Sequence, residues 1–331
     1  MNSILPIFSA MVAALAIASG CGRSNGQGAS SSAPAIASTV VTIGAGPVAD
    51  SAAQKLVHIA VANVDAFPTI SGKIRHEVDL FGHQLIGSGI YLQQGRGPDR
   101  RLRLELKLKV DDQQSSLQQV CDGNYLWTHQ DLLGKTTLTR VDLHRLRNAL
   151  LARPNLTAPA PDVWTSLGGL PKLLKSLDDF FLFTAANPKQ LDGLATWSIE
   201  GQWKPSKLAE LLPAQKDDIL NGRGADLNAM PEQVPHRVVL VVGQDDQFPY
   251  RIEYWGSKTR TKQSARNEER LIMVMELFEV QTGAPIDPRQ LAYKPGDLQF
   301  EDQTSDFLQK LGLGDGRAEP TGARPPIGAR R

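Results

Sequence analysis

The sequence predicts an α+β fold: a large curved antiparallel sheet, a half β-barrel of about ten strands, capped by helices inserted mid-chain. Three features predict it. Arg101 to Val110 alternates charged and apolar residues strictly over ten positions, the pattern of a strand with one wet face. Strand-like runs on both sides of it are joined by connections too short for parallel crossovers. Between the two groups of strands lies a leucine-rich stretch with helical spacing.

In chain order, Thr69 to Leu80 and His83 to Gln93 read as strands reversed at Phe81-Gly82. Arg101 to Val110 follows, then Ser116 to Cys121, a turn at Asp122-Gly123-Asn124, Tyr125 to His129, and Thr136 to Asp142. Burying the apolar side chains of the alternating strand contributes roughly 1.5–3 kcal/mol each, so that face must be covered. Helical pattern occupies Leu143 to Ala152 and Asp162 to Phe183, with Pro171 in the first turn of a second helical piece, where its missing donor costs little. Strands resume at Leu194 to Gly201, Arg237 to Val242, Tyr250 to Trp255 and Leu271 to Gln281. A charged, proline-punctuated insertion, Pro205 to Gln233, separates the first two, and Arg260 to Arg270 reads as a solvated loop. The ordered part closes with Pro288 to Tyr293 and a short helix, Ser305 to Leu311.

The ends of the chain carry a different message. An apolar stretch, Met11 to Ala18, runs into Ser19-Gly20-Cys21-Gly22. This predicts a signal peptide over residues 1–20, too short and too rich in small residues to span as a mature helix. Small residues before a cysteine suit a lipoprotein signal peptidase, so Cys21 is the expected lipidation site. Residues 21–51 then form a Ser-, Gly- and Ala-rich tether, 52–313 the folded domain, and 314–331 a disordered tail of Gly, Pro, Arg and Ala. The expected place is the cell envelope, lipid-anchored and facing the periplasm, at the outer membrane in preference to the inner.

A net charge of +1 makes no case for nucleic acid. With two cysteines, acylation of Cys21 leaves Cys121 alone, a buried strand residue with no base or metal partner nearby. The histidines, His58, His76, His83, His129, His144 and His236, show no paired ligand spacing and most read as surface or turn residues, so no metal is expected. Gly44-Ala45-Gly46 after Val40 to Ile43 copies part of a dinucleotide fingerprint without the βαβ unit it needs, and no cofactor is expected. Gly87-Ser88-Gly89 lies in a hairpin strand, not at a nucleophile elbow. No catalytic residue is assigned, and the chain is not read as an enzyme.

The order of elements resembles the outer-membrane lipoprotein carrier and receptor superfamily, a half-barrel fold shared with related sigma-factor regulators. The resemblance rests on a first helix from Ala52 to Val64, the early meander, Asp122-Gly123-Asn124-Tyr125-Leu126-Trp127, Thr139-Arg140-Val141-Asp142, the leucine-rich insert, and Asp302-Gln303-Thr304. It covers most of residues 52 to 311. The Pro205 to Gln233 insertion and the anchor depart from the soluble carrier.

The resemblance implies a concave apolar cavity, closed by helices, that shelters acyl chains of lipoproteins or other lipids. Leu170, Leu174, Leu177, Phe180 and Phe181 of the insert, with Leu104 and Leu106 of the alternating strand, are the candidate ligand-binding residues. The same side chains read equally as permanent core. The alternative function is then an envelope sensor or interaction module whose cavity is self-filled and whose partner is a protein. Tyr125, Trp127, Trp197, Trp203 and Trp255 are expected to pack against the helices and, where there is a cavity, to supply part of its rim.

Overall fold

The computed structural model describes residues 52–313 except 81–82, 111–112, 133, 153–160, 232 and 258–268. The predicted signal peptide, Cys21, the tether, the tail, the Gly44–Gly46 motif and most of the Arg260–Arg270 loop lie outside the described residues.

A helix, α1 (Ala52–Ala66), leads into six strands: β1 (Thr69–Leu80), β2 (His83–Gln94), β3 (Arg101–Val110), β4 (Gln113–Cys121), β5 (Tyr125–Leu132) and β6 (Lys135–Asp142). Two helices follow, α2 (Leu143–Leu151) and α3 (Pro161–Phe180). The second run comprises β7 (Phe181–Leu191), β8 (Leu194–Trp203), β9 (Arg237–Gly243), β10 (Pro249–Ser257) and β11 (Glu269–Thr282), with short helices α4 (Pro205–Leu211) and α5 (Lys216–Leu220) after β8. A two-residue strand, β12 (Glu301–Asp302), and α6 (Thr304–Lys310) end the described chain.

All twelve strands form one open, curved sheet in the order β12-β6-β5-β4-β3-β2-β1-β11-β10-β9-β8-β7. Each run is an antiparallel meander, and β1 pairs with β11 to join them. Two strands exceed the expected ten. β7 was hidden because Phe180 and Phe181 extend the helical spacing, so the helix expected to reach Phe183 ends at Phe180. Pro188 also argues against a strand, and β7 tolerates it because it is an edge. β12 pairs parallel with β6 over two residues, too short to leave a pattern.

Successive side chains alternate between the faces. On the inner face Ile70, Ile74, Leu106, Ile199, Leu240 and Ile252 meet Val57, Ala60 and Val64 of α1 and Leu170, Leu174 and Leu177 of α3 in one core. A second, smaller cluster at the far end joins Leu102, Cys121, Leu126 and Val141 to Leu143 and Leu146 of α2 and to Leu311 and Leu313. The Pro205–Gln233 insertion adds to the main core through Leu208, Leu212, Ile219 and Met230.

Tyr125 and Trp127 project from the opposite face, away from the helices. The chain after β11 crosses that face, where Tyr293 stacks on Trp127 at 5.3 Å and Phe300 meets it edge-on at 5.2 Å. The guanidinium of Arg140 lies over Tyr125 and Phe300 at 4.7 and 4.5 Å. Trp255 is on an outer face too, under Arg237. Of the aromatics expected against the helices, Trp203 does pack there, on Phe180 and Phe181.

α3 breaks at Gly169 (φ 61, ψ −153), a backbone region open essentially only to glycine. Tyr91, fully buried on β2, holds this break: its hydroxyl accepts from Leu170 N at 2.8 Å and donates to Gln93 Oε1 at 2.6 Å. A Cβ on Gly169 would strike that hydroxyl. Pro171 follows in the first turn of the new segment, where no donor is needed. Tyr91→Phe leaves two buried polar groups unsatisfied and is expected to destabilise the protein by about 1–3 kcal/mol in denaturant unfolding.

His76, expected at the surface, is 3% exposed on the inner face of β1, and neither ring nitrogen has a hydrogen-bond partner. Gly87 opposite makes room for the ring. Burial lowers the His76 pKa, so the native state keeps it neutral while the unfolded chain takes up a proton. Stability is therefore expected to fall as the pH drops below the unfolded value of about 6.5. His76→Leu should flatten the denaturant midpoint between neutral and mildly acidic pH; an unchanged slope would assign the acid sensitivity to other groups.

Candidate functional site

α3 uses two faces. One carries Leu170, Leu174 and Leu177 down onto the sheet, the last two with no exposed surface. The other carries Pro171, Lys172, Lys175 and Asp178, and these border an open cavity of about 830 Å3 between α1, α2 and α3. α1 contributes His58, Val61, Ala62 and Asp65, and α2 contributes Leu143, Leu146, Arg147, Leu150 and Leu151. Gly97, Arg100 and Cys121 also belong to the described lining. The volume suits a single small ligand.

The cavity has a dry floor and a charged mouth. Cys121, Leu143 and Leu146 at the floor are buried, while Leu151 at the mouth is 79% exposed. An isolated leucine on a surface needs no reason, but one bordering an apolar hollow extends it.

The walls are pinned by buried polar contacts. Gln54 of α1 donates to Asp178 Oδ1 of α3 at 2.6 Å and accepts from Phe183 N of β7 at 3.0 Å. His58 Nε2 lies 3.0 Å from the same carboxylate oxygen. Arg100, with a buried side chain, reaches Asp65 Oδ1 at 2.5 Å. On the far side Asp142 caps α2 by accepting from His144 N and Arg145 N. Asp142 N in turn donates to Thr304 Oγ1 at 2.8 Å, which ties α2 to the start of α6.

Chemically the described lining offers desolvation, with basic and acidic side chains beside it. Cys121, in β4 as expected, donates to Arg100 O at 3.6 Å, and burial raises its thiol pKa, the reverse of an activated nucleophile. Among the described residues no group of His, Cys, Asp or Glu could hold a metal ion, and no helix is long and apolar enough to cross a membrane.

The residues expected to bind ligand sit elsewhere. Leu170, Leu174, Leu177, Phe180, Phe181 and Leu106 are buried in the main core, Phe181 from the start of β7, and Leu104 is partly buried against them. None of them lines the cavity. The residues that do were visible as α2's Leu143, Leu146 and Leu150 at helical spacing. Those on α3 read as an ordinary charged helix face.

No protein family model and no curated protein sequence matches the chain. Solved structures do. The complex of Pseudomonas aeruginosa MucA and MucB is similar over 73% of this chain, at 12% identity and a TM-score of 0.34, and this chain spans only 61% of the length matched there. Mycobacterium tuberculosis lipoprotein LppX is similar over 71% of this chain and 97% of its own, at 11% identity and a TM-score of 0.33. A LolA superfamily protein from Nitrosomonas europaea is similar over 73% and 97%, at 10% identity and a TM-score of 0.26. Likeness at this level says nothing of ligand or partner.

Proposed function

We propose that this chain is a non-enzymatic envelope lipoprotein, anchored through Cys21 on the periplasmic side of the outer membrane, that accepts the acyl chain of a lipid or lipoprotein, or another apolar ligand, in the cavity between α1, α2 and α3, in the service of lipid or lipoprotein trafficking. One observation carries the reading: an apolar hollow of about 830 Å3 stands open beside a core packed with the protein's own leucines and phenylalanines. Burial drives binding. Some ten methylenes at ~0.8 kcal/mol each would yield on the order of 8 kcal/mol, which corresponds to micromolar affinity.

A second reading has its own support. Leu170, Leu174, Leu177 and Phe181 are packed as fixed core, which is what an interaction module with a self-filled interior requires. Under that reading the hollow takes no ligand and a protein partner binds the surface.

Uptake of a fluorescent acyl probe, together with native mass spectrometry of the purified protein, separates the two. Binding is expected, and Leu150→Gln should weaken it at least tenfold with little change in melting temperature, since Leu150 is only partly buried. Neither bound lipid nor probe uptake would leave the interaction module standing. The anchor has an independent check: Cys21→Ala should accumulate as unprocessed, unlipidated precursor, whereas normal maturation of that variant would remove Cys21 from the account.

A further inference from the structure

At the β6 end the two faces of the sheet exchange roles. Val120, Trp127 and Leu138 on the outer face are buried, at 0%, 6% and 5% exposure, on the side that the chain after β11 crosses. The inner face of the same strands turns polar. Leu102, Cys121, Leu126 and Val141 share that face in the smaller cluster, and a period of two then places Gln119, Thr128, Gln130, Thr137 and Thr139 on it as well. Register sets Gln119, Thr128 and Thr139 in one row across β4, β5 and β6, with Gln130 and Thr137 in the next. All five are partly exposed. Among the described residues none of the five side chains has a hydrogen-bond partner, whereas Gln118 on the outer face donates to Glu105 at 2.8 Å.

The chemistry of this grid is narrow. Neighbouring strands stand roughly 4.8 Å apart and successive rows roughly 6.8 Å, so the groups form an array of hydrogen-bonding tips on the concave side. Every tip both donates and accepts, and none carries a charge. An acyl chain laid there would desolvate all five without replacing their bonds with water. A phosphate or a nucleic acid would find no cation among them. An extended peptide seeks backbone groups at a strand edge, and the backbone of β5 is already paired on both sides. A sugar hydroxyl also donates and accepts at one atom, and neighbouring hydroxyls of a sugar ring can be met by side chains on adjacent strands. We propose that this concave face of β4, β5 and β6 is a binding site for a neutral saccharide, held by Gln119, Gln130, Thr128, Thr137 and Thr139. The site does not require the hollow between α1, α2 and α3 to be filled, and the sugar is either a free glycan or the headgroup of a lipid.

The chain from Gly22 to Arg331, which carries the whole sheet, is titrated with chitobiose, maltose and dodecyl maltoside below its micelle concentration. Calorimetry and the side-chain amide resonances of Gln119 and Gln130 are the readouts. Saturable binding of at least one sugar is expected, with both glutamine amides shifting. Thr128→Val/Thr139→Val removes two hydroxyls without changing shape and should weaken binding roughly tenfold, as the loss of two hydrogen bonds requires, with no fall in melting temperature. Gln119→Met/Gln130→Met repeats the test from the other side chains. Gln118→Met, on the outer face, should leave binding unchanged. Dodecyl maltoside that binds more tightly than maltose, and loses affinity in the threonine double variant, identifies a lipid-borne sugar; equal affinity identifies a free glycan. No saturable response to any of the three ligands overturns the proposal, and so does sugar binding that survives both double variants. Binding of dodecyl maltoside alone, insensitive to both double variants, overturns it while supporting an apolar chain in the hollow.

Discussion

The pairing of β1 with β11 holds the rest of the molecule together. Each meander alone is a local structure, built from neighbours in sequence, whereas this pair brings Ile70 to Thr282 and Val78 to Met273 across some two hundred residues. Its outer face is stapled by charge. Glu276 on β11 receives Arg75 from β1 at 3.0 Å and Arg251 from β10 at 2.7 Å, so one buried carboxylate spans three strands. A carboxylate that deep is tolerable only when paired, and removing both arginines would leave a costly charge behind. The inner face of the same three strands carries Ile74, Leu277 and Ile252, which are packed in the core under the helices.

A sheet joined in this way has one apolar face of unequal depth. α1 and α3, with Leu208, Leu212 and Ile219 of the insertion, pack on the side of β7 to β11 and β1. At the β6 end, among the described residues, leucines of α2 and of the α6 segment make a separate, smaller cluster. The hollow lies at the junction, bordered by α1 and α3 from the large core and by α2 from the small one. Its position follows from the sheet being wider than the helices that cover it.

Much of this was legible in the sequence. The alternation of Arg101 to Val110 identified β3 to the residue, because a half-buried strand has a period of two and nothing else does. Two kinds of feature were not legible. The first is a boundary where two patterns coincide: Phe180 closes α3 and Phe181 opens β7, both apolar and both buried, so helical spacing runs on without a break. The second is the face a side chain serves once a third element arrives. Trp127 looked like a partner for the helices, but the strap from Pro288 to Asp302 covers the other face and claims it through Tyr293 and Phe300. The candidate binding residues did not lead to this hollow for the same reason. Leucines on α3 are the strongest apolar signal in the insert, and for that reason they fill the core; the cavity is left to the helix's weaker face.

That division of labour within α3 links the fold to the proposed site. A helix with Leu174 and Leu177 locked against the sheet cannot swing as a lid without exposing surface worth roughly 1.5–3 kcal/mol per side chain. α2 is the wall held by the lighter cluster. Its start is tied by Asp142 to Thr304, and Thr304 Oγ1 bonds Asp302 at 2.5 Å, while Asp302 also receives Arg140 at 2.6 Å. Arg140 in turn lies over the aromatic rings of the outer face. A displacement of α2 by a ligand would therefore be opposed at its first turn by a polar knot that reaches around the β6 edge, and accommodated at its last, where Leu150 and Leu151 have least to hold them. The geometry favours a hollow that opens by yielding at one end of α2 over a lid formed by the leucine-rich helix.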